Sequence, residues 1–318
     1  VVITINGTND TPTITTGIAD QSFTEVSGDS SAQDLVAGGT LSFDDLDTND
    51  VIDVTYSVKS GATWVNNSIN EALAAQLGGG FAISATDVAA PGSVSWSYGV
   101  TDADLDFIAE GEQVTLSYTV TVTDNHGATA TDDVVITING TNDTPTITTG
   151  IDDVSFTEVS GDSSAQDLTE GGTLSFNDLD TNDVIDVKYS VKSGAAWSGA
   201  TTGVAMPSGL AAQLEAGFAI SGEDEAAPGS VSWSYGVTDA NLDFIAEGEQ
   251  VTLSYTVTVT DNHGATATDD VVITINGTND APTITSGIDD VSFTEDVSAS
   301  AQDLTEGGTL SFNDLDTN

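Results

Sequence analysis

Asn9-Asp10 recurs as Asn142-Asp143 and again as Asn279-Asp280. A second acidic run, Asp44-Asp45-Leu46-Asp47-Thr48-Asn49-Asp50, returns as Asn177-Asp178-Leu179-Asp180-Thr181-Asn182-Asp183, and its start returns once more around Asp314 and Asp316. A third cluster, Asp124-Asn125, is copied as Asp261-Asn262. Side-chain oxygens are what hard divalent cations take as ligands, roughly six to eight of them for Ca2+. Alternate carboxylates such as Asp45 and Asp47 can converge on one ion, with backbone carbonyls completing the shell, and Glu25 and Glu158 can add to such a site. Turn chemistry is the competing explanation, because Asp and Asn bond their own backbone in loops without any metal. Taken together, the clusters favour the ion. Carboxylates gathered at one end of a domain repel, and the chain has 3 Lys plus Arg against 51 Asp plus Glu to answer them.

That imbalance gives a formal charge of −48, and the only cationic side chains besides two histidines are Lys59, Lys188 and Lys192. Nucleic-acid binding needs a basic footprint that this chain lacks. An anionic bilayer would repel it too, and no run of about 18 apolar residues suits a membrane span. Acidity by itself also serves solubility in salt. Without cysteine, neither disulfides nor thiolate metal sites are available. Hydrophobic residues make up 38%, enough for packed cores rather than disorder. The opening Val1-Val2-Ile3-Thr4-Ile5 starts in mid-strand and reads as a cut from a longer chain.

Catalysis is the weakest reading. His126 and His263 lie in turn sequences, and no HExxH zinc motif or phosphate-cradling Gly-rich loop is present. The carboxylates lie in polar turns rather than in an apolar pocket that would raise a glycosidase acid. A ligand-binding module is the alternative, with Trp64 and Trp197 at the edge of a variable loop where an exposed ring can stack on a glycan. An aromatic tucked over the core competes with that idea, and Trp96 and Trp233 belong to core strands.

The elements that must position these residues come from a long internal repeat. VVITINGTND starts at Val1, Val134 and Val271, and Gly92–Asp143 matches Gly229–Asp280 except at Asp104, which is Asn241 in the second copy. The boundaries follow: 1–10 as the last strand of a preceding repeat, 11–143 and 144–280 as complete repeats, and 281–318 as the truncated start of another. Within each repeat the period is two. Val114, Leu116, Tyr118, Val120 and Val122 alternate with threonine and serine, and Val94 to Val100, Val134 to Ile138, Leu41 to Phe43 and Val54 to Val58 behave alike. Short helices are expected near Glu71–Leu77 and Gly209–Leu214, beside the segment where the copies differ in length. The predicted fold is all-β: tandem immunoglobulin- or cadherin-like antiparallel β-sandwich domains arranged end to end. The incomplete pieces 1–10 and 281–318 should be poorly ordered or pair opportunistically.

Residues 92–143 resemble the VCBS repeat of large bacterial RTX-type adhesins, through Gly111-Glu112-Gln113-Val114-Thr115, then YTVTVTDNHG and VVITINGTNDTP. The opening half, with Phe23-Thr24-Glu25 and Leu41–Val58, is similar to cadherin-like bacterial repeats. The resemblance implies a Ca2+-dependent spacer in an extracellular or cell-surface adhesin, exported by a type I system and used in attachment or biofilm. Its partners would be neighbouring repeats, with surface glycans or proteins met through other domains. It also implies a junction site between the two full repeats, built from Glu25, Asn142, Asp143, Asp178, Asp180 and Asp261; from the residues themselves, Asp50 and Asp183 close the acidic runs as further candidates. The cadherin DRE motif is absent, and Glu110 and Glu112 are only loosely placed to replace it.

Overall fold

The computed structural model describes residues 1–28, 32–65, 67–84, 88–161, 165–199, 205–220, 222–295 and 302–316, without the side chains of residues 102 and 239. The chain divides into two compact units: Val1–Thr146 with Asn177–Val184 and Asp261–Thr266, and the remainder, Ile147–Phe176, Ile185–Thr260 and Ala267–Asn318.

In the first unit the strands are β1 (Thr13–Thr16), β2 (Gln21–Thr24), β3 (Gln33–Asp44), β4 (Val51–Trp64), β5 (Phe81–Ile83), β6 (Val88–Ala89), β7 (Gly92–Ala103), β8 (Gln113–Thr123) and β9 (Thr129–Asn139). One sheet runs β1-β3-β7-β5 and the other β2-β9-β8-β4-β6. The alternation seen in the sequence is the reason for the layers. In β8 every apolar residue from Val114 to Val122 is buried and its threonine or serine neighbour is not, so the core fills between the two sheets. The pairing of β2 with β9 is parallel, Gln21 opposite Ile136 through Thr24 opposite Asn139; the other pairings of this unit are antiparallel.

Helix α1 (Glu71–Gly78) occupies the segment expected to be helical, capped by Asn70 and buried through Leu73 and Leu77. Its C-terminal carbonyls, which have no partners inside the helix, are answered from the core. Tyr98 and Tyr118 both donate their hydroxyls to Leu77 O at 3.1 Å, and Tyr118 also reaches Gly78 O at 3.0 Å. One expectation fails in part. Tyr56 and Val58 are 43% and 50% exposed, because β4 is covered by β6 only at Val51 and Ile52 and its register breaks after Val58.

The second copy repeats this plan with β10 (Thr146–Thr149), β11 (Val154–Thr157), β12 (Gln166–Asn177), β13 (Val184–Ser198), α2 (Leu210–Glu215), β14 (Phe218–Ile220), β15 (Glu225–Ala226), β16 (Gly229–Ala240), β17 (Gln250–Thr260) and β18 (Thr266–Asn276). Its sheets run β10-β12-β16-β14 and β11-β18-β17-β13-β15. Residues 1–10 carry no strand and are exposed. Among residues 281–318, β19 (Thr283–Ser286) pairs with β20 (Ser311–Asn313) in the register of β1 on β3, Ile284 opposite Phe312 as Ile14 is opposite Phe43. That pairing is specific rather than opportunistic.

Gly140, just past β9, shows how tightly the closing strand is held. A Cβ there would lie 1.9 Å from Ile108 O and 2.4 Å from Ala109 O, both rigid backbone. Gly140→Ala should therefore destabilise the repeat by about 1–3 kcal/mol, read from a denaturant midpoint. An unchanged midpoint would show that the loop at Ile108 yields easily.

Candidate metal centre

The turn after β8 places the first ligand candidate. Gly127 takes a φ of 92°, which lets the chain fold back so that Asp124 Oδ1 accepts from the N–H groups of His126 and Ala128, each at 2.8 Å. Asp261 does the same for His263 and Ala265 at 2.8 and 2.9 Å. Turn chemistry thus uses one oxygen of each aspartate and leaves the other to face a neighbour. Asn9 Nδ2 donates to Asp124 Oδ2 at 2.9 Å and Asn142 Nδ2 to Asp261 Oδ2 at 3.1 Å.

The first unit holds two such gatherings. At one, Asp10 N donates to Asp47 Oδ2 at 2.8 Å and Asp47 N to Asp45 Oδ1 at 3.0 Å. Asp45, Asp47 and Asp50 each offer an oxygen within 4.8 Å of the others, and Asp50, Asp124 and His126 do likewise.

The other gathering unites all six residues of the implied junction set, every one of them within the first unit. Glu25 Oε2 accepts from Thr141 N at 3.1 Å and from the Thr141 hydroxyl. Asp143 Oδ1 accepts from Gly28 N at 2.5 Å, Asp143 N donates to Asp180 Oδ2 at 2.7 Å, and Asp180 N donates to Asp178 Oδ1 at 3.2 Å. Asp183, Asp261 and His263 form a further group within 4.8 Å, with His263 Nδ1 3.1 Å from Asp183 Oδ2. Both histidines are exposed turn residues, and they stand at the rim of the acidic groups. Only the nearness of their sequence position to Asp124 and Asp261 hinted at this.

Burial sharpens the chemistry. Asp180 is 0%, Asp143 1% and Glu25 3% exposed. Glu25 Oε1, Asn142 Oδ1, Asp143 Oδ2, Asp178 Oδ2 and Asp180 Oδ1 are buried without a hydrogen-bond donor. A buried carboxylate oxygen lacking a donor is strongly unfavourable unless a counter-charge reaches it. No lysine does so: Lys59, Lys188 and Lys192 pair with Asp133, Asp186 and Asp270 on the sheets. Burial, with Asp183, Asp261 and Asp143 adding like charge, raises the Asp178 carboxyl to about 6. Burial, with Asp143, Asp183 and Asp178 nearby, raises Asp180 to about 7. Glu25 and Asp143 are pushed upward chiefly by burial. Five oxygens with unused lone pairs among ionisable neighbours fit Ca2+, and the all-oxygen set excludes a thiolate-type zinc site.

The second unit has a matching set. Glu158 Oε2 accepts from Thr278 N at 3.1 Å, Gly161 N donates to Asp280 Oδ1 at 2.5 Å, and Asp280 N donates to Asp316 Oδ2 at 2.9 Å. Asn279 Nδ2 turns to Asp280 O at 3.1 Å, and Asp316 N meets Asp314 Oδ1 at 3.2 Å. Glu158 Oε1, Asp280 Oδ2 and Asp316 Oδ1 are again buried without donors.

No family model matches the chain, and no curated protein matches it. Solved structures do resemble it. Titin domains Z1Z2 in complex with telethonin cover 85% of this chain and 99% of their own at 15% identity and a TM-score of 0.32. A mutant of the CFA/I adhesin CfaE of enterotoxigenic E. coli covers 82% and 98% at 8% identity and 0.36. Domains EC22–24 of mouse cadherin-23 cover 88% and 71% at 14% identity and 0.34. The β-sandwich assignment itself rests on the strand order above.

The loop tryptophans are not open platforms. Trp64 is 7% exposed, donates its indole N–H to Glu112 Oε2 at 2.9 Å, and packs edge-on against Phe107 at 4.6 Å between centroids. Trp197 makes the same two contacts, with Glu249 and Phe244, and is half-buried. Glu112, which the sequence left loosely placed, also accepts from Asn182 Nδ2 at 2.7 Å. It joins Trp64 to the acidic run rather than supplying a further orphaned oxygen.

Proposed function

We propose that the chain is a structural extender of a bacterial surface or secreted adhesin, stiffened by Ca2+ at its linker-borne acidic sites. Asp143, Asp178, Asp180, Asp261, Asn142 and Glu25 would hold one ion. Asp45, Asp47, Asp50, Asp124, Asn9 and Asp10 would hold its equivalent, and Glu158, Asn279, Asp280, Asp314 and Asp316 would supply part of a third. The bound ion supplies positive charge to oxygens that nothing else on the chain neutralises, and so ties the Asp178–Asp183 run and the Asp261 turn to the linker at Asn142-Asp143. The single observation that carries this reading is the set of buried, donorless carboxylate oxygens in a chain whose lysines are all engaged elsewhere. The sequence resemblance supports the wider setting of extracellular attachment or biofilm after type I export.

Calorimetric titration of the metal-stripped chain with Ca2+ tests the reading. Saturable uptake should accompany a higher melting temperature and a longer maximum dimension by small-angle scattering. One site at about 100 times its Kd stabilises by about 2.7 kcal/mol. No uptake, with melting and length indifferent to the metal, would leave only an acidic string of repeats.

A further inference from the structure

We propose that Asn139-Gly140 and Asn276-Gly277 are latent deamidation sites, held inert by docking of the closing strand and released when that strand opens. Asparagine followed by glycine is among the most labile pairs in a polypeptide. The glycine backbone nitrogen, unshielded by a side chain, attacks the asparagine Cγ; the Cγ–N bond breaks and ammonia leaves. Water then opens the resulting succinimide at either carbonyl, giving aspartate or isoaspartate. Nothing is oxidised or reduced, and water is the only co-reactant.

The reaction needs a free backbone N–H and an amide able to swing onto it, and the fold withholds both. Gly140 N donates to Glu112 O at 3.1 Å. Asn139 Nδ2 donates to Ser22 Oγ at 2.9 Å and to Phe23 O at 2.8 Å, while its Oδ1 accepts from Gln113 Nε2 at 2.9 Å. The second copy has the same clamp: Gly277 N donates to Glu249 O at 3.1 Å, and Asn276 Nδ2 reaches Ser155 Oγ and Phe156 O at 3.0 Å each.

The labile pair is there because the architecture needs both residues. Any Cβ at Gly140 or Gly277 would lie 1.9 Å from the carbonyl oxygen of Ile108 or Ile245. The asparagine supplies two donors that bridge the closing strand to β2 or β11. An aspartate lacks those donors and sets a negative oxygen against the Phe23 or Phe156 carbonyl, so the product cannot dock as the reactant does. Asn139 O also accepts from Glu25 N at 2.9 Å, so the damage lies next to the acidic site, although the inference does not depend on metal binding.

The chain carries its own control, because the same sequence at Asn6-Gly7 is exposed and outside any strand. The full chain is incubated at mildly alkaline pH in native buffer and in denaturing urea, with peptide mapping by mass spectrometry over days. In native buffer Asn6 should convert while Asn139 and Asn276 lag by about tenfold or more; in urea the three rates should merge. Conversion of Asn139 and Asn276 in step with Asn6 in the folded chain overturns the proposal, as does a persistent lag in urea. Asn139→Asp, which writes in one product, should lower hydrogen-exchange protection across β2, and full protection there would also count against it.

Discussion

In chelator, Asp180→Asn should melt above the wild-type chain, and saturating calcium should erase that advantage. Without metal, Asp180 is fully buried, one of its oxygens has no donor, and its carboxyl is raised to about 7 by burial and by Asp143, Asp183 and Asp178. The amide removes that ionisation penalty and still accepts the bond from Asp143 N. A gain of roughly 4 kcal/mol at neutral pH is expected, by the free-energy equivalent of a rise from near 4 to about 7. With calcium, the same replacement withdraws an anionic ligand from the ion and forfeits linkage stabilisation of about 3 to 4 kcal/mol at roughly 100 to 1,000 times Kd, which offsets the gain. Two melting curves for each protein decide it. Destabilisation of similar size in both buffers would show that Asp180 is a packing residue and that its charge answers no ion.

The second large effect is a pH dependence that calcium abolishes. Asp178 and Asp180 have folded-state values of about 6 and about 7, against an unfolded value near 4. Between those limits the metal-free folded chain binds more protons than the unfolded one, so its stability falls as pH rises. The contribution of the pair is fully present below about pH 4 and is lost as pH climbs through 6 and 7. Metal-free protein should therefore be more stable near pH 5 than near pH 8, by roughly 4 kcal/mol for the coupled pair. Calcium holds both carboxylates ionised, so in its presence the folded and unfolded chains bind equally few protons above about pH 5 and the slope should flatten over the same window. Asp124 runs the other way: the Asn9 amide and the turn N–H groups hold its carboxyl below its ordinary value, so its own effect is felt only in stronger acid. Chemical denaturation at several pH values, with calcium and with chelator, measures both slopes. Parallel slopes would mean that the ion, if it binds at all, does not meet these two carboxylates.

The sandwich was legible because its signal is local and repeated. Val114 to Val122 alternate with threonine and serine, and all five apolar residues are buried. Glu71–Leu77 read as a helix and became α1. The acidic site was legible as an inventory, since duplication aligns Asp143 with Asp10 and Asp180 with Asp47. What the sequence could not carry is which oxygen of each carboxylate is already used. That depends on Gly28 reaching Asp143 and Thr141 reaching Glu25, pairs separated by 115 and 116 residues. The exposure of Tyr56 escaped notice because an alternating edge strand looks the same as a covered one until its neighbour β6 proves two residues long. His263 was discounted for lying in a turn, and its place beside Asp183 needed the 80-residue return of the chain.

The parallel pairing of β2 with β9 has a mechanical consequence. These strands lie near the two ends of one repeat and run in the same direction, Gln21 to Thr24 alongside Ile136 to Asn139. When a repeat is pulled from both ends, such strands slide lengthwise past each other, so the rungs bear the tension together rather than peeling apart one by one. Rupture is then a matter of unfolding rate rather than equilibrium stability. A repeat loaded in this way would hold for as long as that single shear step is slow.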